Sequence, residues 1–324
     1  MGLRIQTNIQ SLNSQRALSI STMANDLSME KLSSGYRINR AGDDSAGLAI
    51  SEKIKADIRG LNAAKRNAND GISMVQVAEG SMNEIGKILN RLRELSVQGA
   101  SDTIGNNERN FIHKEYTALK DEIDRITNST EYNGSLLLIG SNAEDKISDP
   151  KMLERANTPP FEIQVGKNWY KGVDAQGLDD PFGRNPVNIV RIKFDQIDTS
   201  TVALNLGRGN DDSENSIGVF QAGEKNSVVS KNRAQRSIVK IDDAINTIAG
   251  YRADLGAIQN RLNSTISNLA IQSENYSAAN SRIRDTDFAE ETTKNTQSNI
   301  LKQAGVAVLA QANQSPNAAM RLLG

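Results

Sequence analysis

The chain is predicted to be mainly α: a long helical coiled-coil or bundle hairpin formed by both ends, with a small β-rich outer domain inserted between them. Three observations predict this. From Ile54 the apolar positions run Ile58, Leu61, Ala68, Ile72, Val75, Met82, Ile85, Leu89, Leu92 and Leu95, in heptad-like steps with polar fillers at Lys65 and Glu79. The same rhythm returns at Ile238, Ile241, Ile245, Ile248, Leu255, Ile258, Leu262, Ile266 and Leu269. A narrow stripe of period near 3.5 is buried only against another helix. Across about residues 141–230 the rhythm stops, and Pro150, Pro159, Pro160, Pro181, Pro186 and the only tryptophan, Trp169, fall there.

The elements follow in order. Residues 3–34 form a first helical segment with Ile9, Leu12, Ile20, Met23, Leu27 and Leu32 on its stripe. Its other positions are largely Ser, Asn, Gln and Thr, weak supports for an isolated helix, so it is stable only when packed. Gly35 is the expected C-cap, and Asp43, Asp44 or Ser45 the cap of the next helix, residues 45–99. That helix carries Gly60, Gly71, Gly80 and Gly86, read as places where neighbouring backbones approach closely. A third helix spans about Glu108–Asn128, with Phe111 or Ile112, Tyr116, Leu119, Ile123 and Ile126 as its stripe. Asn133-Gly134 is a tight turn. Phe161–Val165 and Ile189–Phe194 alternate as strands do. Helix resumes near Lys231 and runs to about Ser281. A last helix, about Thr286–Gln314, carries Ile300, Leu301, Ala304, Val308 and Gln311, and Pro316 is expected to end it.

Composition narrows the function. Lys plus Arg is 38 and Asp plus Glu 39, a net charge of −1 that demands no basic face for nucleic acid, and the five basic against two acidic residues of the first 42 read as a solvated helix face. Aromatic content of 4% suits a thin helical bundle. With no cysteine and one histidine, His113, no His/Cys zinc site and no Ser-His-Asp or Cys-His arrangement can be built. His113 reads as a surface residue. Asp179-Asp180 and Asp211-Asp212 read as solvated turn carboxylates, and no phosphate-cradling or dinucleotide motif occurs. The reading is a non-enzyme with no cofactor and no metal. The start lacks the apolar stretch of a secretory signal, and no run approaches the roughly 20 apolar residues that span a membrane. No membrane insertion is expected, and general rules alone would place the chain in the cytosol.

Several segments are similar to bacterial flagellins. They include Leu3-Arg-Ile-Gln-Thr-Asn-Ile9, Leu32-Ser-Ser-Gly-Tyr-Arg-Ile-Asn39, Ala41-Gly-Asp-Asp-Ser-Ala-Gly-Leu-Ala-Ile50 and Asn69-Asp-Gly-Ile-Ser-Met-Val-Gln76. Leu89-Asn-Arg-Leu-Arg-Glu-Leu-Ser-Val-Gln98 and Tyr132-Asn-Gly134 continue the series. On the return side come Asp254-Leu-Gly-Ala-Ile-Gln-Asn-Arg261, Ser281-Arg-Ile-Arg-Asp-Thr-Asp287, Ile300-Leu-Lys-Gln-Ala-Gly305 and Leu309-Ala-Gln-Ala-Asn-Gln314. The match covers about residues 1–140 and 231–324 in the right order. Gly2 and Gln6 depart from the family's commoner residues, which touches only the first few contacts.

The resemblance implies a subunit that leaves the cell by flagellar type III export, without a cleaved signal peptide, and polymerises into the extracellular flagellar filament for motility. It implies an inner filament-core domain from residues 1–44 and 283–324, a helical rod domain from 45–140 and 231–282, and a variable β-rich outer domain at 141–230. Filament-core packing is assigned to Ile9, Leu12, Ile20, Met23, Leu27, Leu301, Ala304, Val308 and Leu309, with pairing inside a subunit and stacking between subunits both open. The implied partners are other copies of the chain in a helical homopolymer, an export chaperone at the C-terminal segment, and hook-junction and cap proteins. Arg91, Leu95 and Glu115 match the flagellin positions recognised in the monomer by the vertebrate Toll-like receptor five, with Leu95 as an apolar plug. Two alternatives stand beside this: a flagellin-like hook–filament junction protein, and a cytosolic coiled-coil scaffold. The Leu89–Gln98 and Leu309–Gln314 segments favour the filament subunit. Deleting about residues 145–228 is expected to be tolerated.

Overall fold

A computed structural model of the chain describes residues 8–140, 161–168, 188–207, 218–219 and 227–323. Trp169, the five prolines of the insert, the two Asp-Asp pairs and the segment before Asn8 lie outside the described residues. The elements are α1 (Ile9–Ser34), α2 (Ser45–Gly99), α3 (Asn106–Ser129), β1 (Glu131–Tyr132), β2 (Ser135–Leu136), β3 (Phe161–Gln164), β4 (Ile189–Ile192), α4 (Ser227–Arg284) and α5 (Phe288–Leu323). The fold is mainly α, with two small antiparallel pairs, β1–β2 and β3–β4. No helix of the described residues is long and apolar enough to cross a membrane.

The punctuation residues act where their chemistry suits them. Gly35 takes φ +73° and returns its N–H to the Lys31 carbonyl at 2.9 Å, closing α1. Asp44 Oδ1 accepts from the Gly47 N–H at 2.8 Å and starts α2. Asp43 Oδ2 accepts from the Arg40 and Asn39 N–H groups, both at 3.0 Å, and those backbone donors hold its carboxyl below its ordinary range. Asn133 and Gly134, at φ +49° and +83°, make the two-residue turn between β1 and β2.

The chain divides into two compact units. One holds residues Met1–Arg59 and Ser273–Gly324, the other Gly60–Gln272. In the second, α2, α3 and α4 share one apolar core. On α2 the fully buried seam is Leu61, Ala64, Ala68, Gly71, Val75, Ala78, Met82, Ile85, Leu89, Leu92 and Leu95. The fillers are therefore Ala64 and Ala78, and not Lys65 or Glu79, while Gly71 replaces Ile72 at the seam. One position over, Lys65 is exposed, while Glu79 is half-buried and accepts from Gln259 Nε2 at 3.0 Å. On α3, Ile112, Tyr116 and Ile123 face inward while Phe111 is 67% exposed, which resolves that choice. His113 is half-buried.

The strands belong to this same core. Ile163, Val165, Val190, Ile192, Phe194, Ile197, Leu204 and Leu206 are buried in one cluster with the helices, and the Phe161 and Phe194 rings meet edge-on at 5.8 Å. Gly71 admits Ile163 against the α2 backbone, where a Cβ would collide with the Ile163 side chain. Gly80 and Gly86 have nothing within 4 Å of where a Cβ would stand, so close packing does not explain them. Polar ties reinforce the apolar ones. Asp124 accepts from Thr201 N at 2.9 Å and Thr201 Oγ1 at 2.8 Å, and the Thr127 and Thr199 hydroxyls meet at 2.9 Å.

Arg109, on α3, is only 1% exposed. Its guanidinium donates to the Gly99 carbonyl at 3.0 Å and to the Ser101 carbonyl at 2.8 Å, satisfying acceptors at the C-terminus of α2 with a cation. Tyr116 is buried beside the Ser96 and Ser237 hydroxyls, and burial pushes its phenol well above the ordinary range.

Candidate assembly surface

In the first unit α1 and α5 lie side by side and antiparallel. Asn8 meets Ala312, Leu18 lies over Gly305, and Tyr36 bridges to Asp285. At the turn between α1 and α2, Arg37 N donates to the Arg284 carbonyl at 2.6 Å and Thr286 N to the Gly35 carbonyl at 3.0 Å. The Arg284 guanidinium sits 4.6 Å over the Tyr36 ring and pairs with Glu52, whose carboxyl is held below its ordinary range first by that hydrogen bond and then by Lys55.

The face by which α1 meets α5 is polar. Ser11, Asn25 and Ser28 are its buried residues, and Leu18 is half-buried. On α5 the covered positions are Glu291, Asn295, Ser298, Lys302, Gly305, Leu309 and Ala312, again at heptad spacing, with Thr292 beside the first of them. Small and polar side chains let the helices approach but remove little apolar area from water. The large apolar side chains point elsewhere. Ile9, Leu12, Ile20, Met23 and Leu27 are all more than half exposed, Met23 at 65%; Leu301, Val306 and Val308 are likewise open, and Ala304 is exposed. Of the nine residues assigned to packing, only Leu309 is half-buried within the chain. The pairing of α1 with α5 thus runs along a second heptad seam, built largely from Ser, Asn and small residues with Leu18 and Leu309 among them, that a search for apolar periodicity passes over.

A groove of about 380 Å³ lies between the two helices, lined on α1 by Asn13, Ser14, Ala17 and Ser21 and on α5 by Leu301, Ala304, Gly305 and Val308. Small residues beneath larger apolar ones are the shape that receives a ridge of side chains from another helix. Ile9, Leu12, Ile20, Met23 and Leu27 on α1 with Ile300, Leu301, Val306 and Val308 on α5 leave many large apolar side chains exposed, as interaction surfaces do.

The other assigned group lies on the second unit. Arg91 is half-exposed and holds Glu115 at 2.8 Å and Glu94 at 3.0 Å. Leu95, in contrast, is 1% exposed and part of the apolar core. It is four residues from Arg91, yet the helix turns it inward, so the plug expected there is a core residue.

α5 also departs from expectation at its end. Pro316 does not terminate the helix, which continues to Leu323. The Ala312 carbonyl, which lacks an N–H from position 316, accepts from Asn8 Nδ2 at 2.8 Å.

Long helices from the two ends of the chain, with an unpartnered apolar face, define a subunit built to associate through helices. The comparisons say which. Residues 5–143 match the model of the bacterial flagellin N-terminal helical region and residues 238–323 that of the C-terminal helical region. The chain is 41% identical to the flagellin of Bacillus subtilis over 323 residues, covering 99% of this chain and all of that one. It is 38% identical to polar flagellin B/D of Vibrio parahaemolyticus over 382 residues, covering all of both. A flagellar hook-associated protein of Vibrio parahaemolyticus shares the fold, with a TM-score of 0.53 at 13% identity, covering 75% of this chain and all of that one. The crystal structure of Bacillus cereus flagellin aligns with a TM-score of 0.43 at 27% identity, over 66% of this chain and 94% of that one. The chain belongs to the bacterial flagellin family, and it is a structural subunit of the flagellar filament.

Proposed function

We propose that the subunit polymerises through the outward apolar faces of α1 and α5, with Ile9, Leu12, Ile20, Met23, Leu27, Leu301, Ala304, Val308 and Leu309 meeting other copies by contacts that repeat without closing. The observation that carries this is the exposure of all but Leu309, which is half-buried at the α1–α5 seam, in a chain whose own seam is largely polar. Burying one such side chain contributes about 1.5–3 kcal/mol. Ile20→Asp is therefore expected to raise the subunit concentration needed for filament growth by roughly tenfold to a hundredfold, read by light scattering and electron microscopy at high salt with seeds. An unchanged threshold would remove that face of α1 from the interface. In this reading residues 1–44 and 283–324 make the inner part of the filament, residues 45–140 and 231–282 the helical part around it, and residues 141–230 the outer variable part, anchored in the helical part's core through β3 and β4.

The chain is further read as leaving the cell by flagellar type III export without a cleaved signal. A chaperone would cover the exposed C-terminal helix beforehand, and junction and cap proteins would bound the polymer. The known flagellin relatives and the exposed apolar face of α5 support this. Recognition of the monomer by Toll-like receptor five is assigned to the Arg91–Glu115 pair, with Leu95 holding that stretch of α2 from beneath. A planar guanidinium beside a carboxylate offers a partner both a donor fork and an acceptor. Arg91→Ala is expected to weaken receptor activation by monomer roughly tenfold or more while leaving its melting temperature unchanged. Activation equal to that of the unsubstituted monomer would exclude Arg91 from recognition.

A further inference from the structure

We propose that Asn8 is a positioning residue that couples the two ends of the chain, one amide serving both helices of the first unit. Its Oδ1 accepts from the Ser11 N–H at 3.1 Å and caps α1. Its Nδ2 donates to the Ala312 carbonyl at 2.8 Å. These partners fix the orientation of the amide, since a backbone N–H needs the oxygen and a carbonyl needs the nitrogen.

Ala312 is the position whose carbonyl would ordinarily receive the N–H from four residues on, and that residue is Pro316, which has none. Ala312 is 7% exposed, so water is a poor substitute. An unsatisfied buried carbonyl is costly, and the helix would be expected to stop there. It runs on to Leu323 because the missing donor arrives from the other end of the chain. A second contact, Ser11 Oγ to Asn313 Oδ1 at 2.9 Å, holds the same place. The last turns of α5 are therefore helical only while α1 is docked.

Among the good N-capping residues only Asn can do both tasks. Ser and Thr are shorter, and Asp keeps the acceptor but has no donor at pH 7. Asn8→Asp thus preserves the cap and removes only the bond to Ala312, whereas Pro316→Ala supplies the absent N–H and removes the need for it.

The test is hydrogen exchange on the full chain at high salt with seed fragments, comparing Asn8→Asp, Pro316→Ala, the double variant and the unsubstituted chain. The reading is the exchange of peptide 313–323, with the peptide covering α1 as control, and it does not depend on whether tubes form. With Pro316 present, Asn8→Asp is expected to speed exchange of 313–323 roughly tenfold and to leave α1 protected. In the Pro316→Ala background the same substitution should change it less than about twofold. Equal acceleration in both backgrounds would reduce Asn8 to an ordinary cap and overturn the coupling. So would no acceleration in the presence of Pro316.

Discussion

Chains lacking residues 1–30 or 295–324 are expected to form no filaments under conditions where the intact chain forms them, while the unit of residues 60–272 keeps its helical signal. Each truncation removes one partner of the α1–α5 pair. The survivor is left with a seam of Ser11, Asn25 and Ser28, or of Asn295, Ser298 and Gly305, which has almost no apolar area to bury alone. Isolated helices of this polarity are marginal in water. The apolar residues that would join one subunit to the next are deleted or lose the scaffold that aligns them. The loss should therefore be complete, and not a weakening. The second unit is independent of this, because its core is built from α2, α3, α4 and the strands. Electron microscopy reads the polymer and circular dichroism the fold. Tubes of normal width from either truncation would show that α1 or α5 is dispensable for assembly, and collapse of the helical signal would show that the two units do not fold separately.

The long helices were legible because burial on one face writes a strict period into the sequence. α2 runs over the very residues its heptads predict, Ser45–Gly99, and Gly35 and Asn133-Gly134 are local signals that need no tertiary context. The errors have physical causes too. Apolar periodicity marks the face that must leave water, but in α1 that face is turned away from α5. The face that does meet it is mostly silent on a hydropathy scale, since Leu18 is flanked on it by Ser11, Asn25 and Ser28. Leu95 faces the core although Arg91 does not, because a spacing of four leaves about 40° between them, enough to separate a residue at the seam's edge from one inside it. Pro316 is a helix stop by every local rule, yet the helix continues to Leu323, and the Ala312 carbonyl that the proline leaves without a donor accepts from Asn8, far away in sequence. Arg109 gave no signal at all. The Gly99 and Ser101 carbonyls that it meets are backbone groups, which any sequence supplies.

The strands set the largest remaining expectation. Replacing residues 145–228 by a short linker was expected from the sequence to be tolerated, as removal of a self-contained outer body would be. The structure reverses this. The deletion takes away Ile163, Val165, Val190, Ile192, Phe194, Ile197, Leu204 and Leu206, all buried in one cluster with Val75, Leu92, Tyr116 and Leu255. It also removes the Thr199 and Thr201 contacts to Thr127 and Asp124 on α3. What remains is a helical face stripped of its cover. Single large-to-small core substitutions cost about 2–5 kcal/mol, and a domain holds only about 5–15 kcal/mol in reserve. Removing this many buried residues at once therefore exceeds that reserve. The variant is expected to lose cooperative thermal unfolding and to form no filaments even with seeds. Calorimetry and electron microscopy of the same preparation would check both. A sharp melting transition within a few degrees of the intact chain, with tubes that are thinner in projection, would restore the segment as a separable outer body.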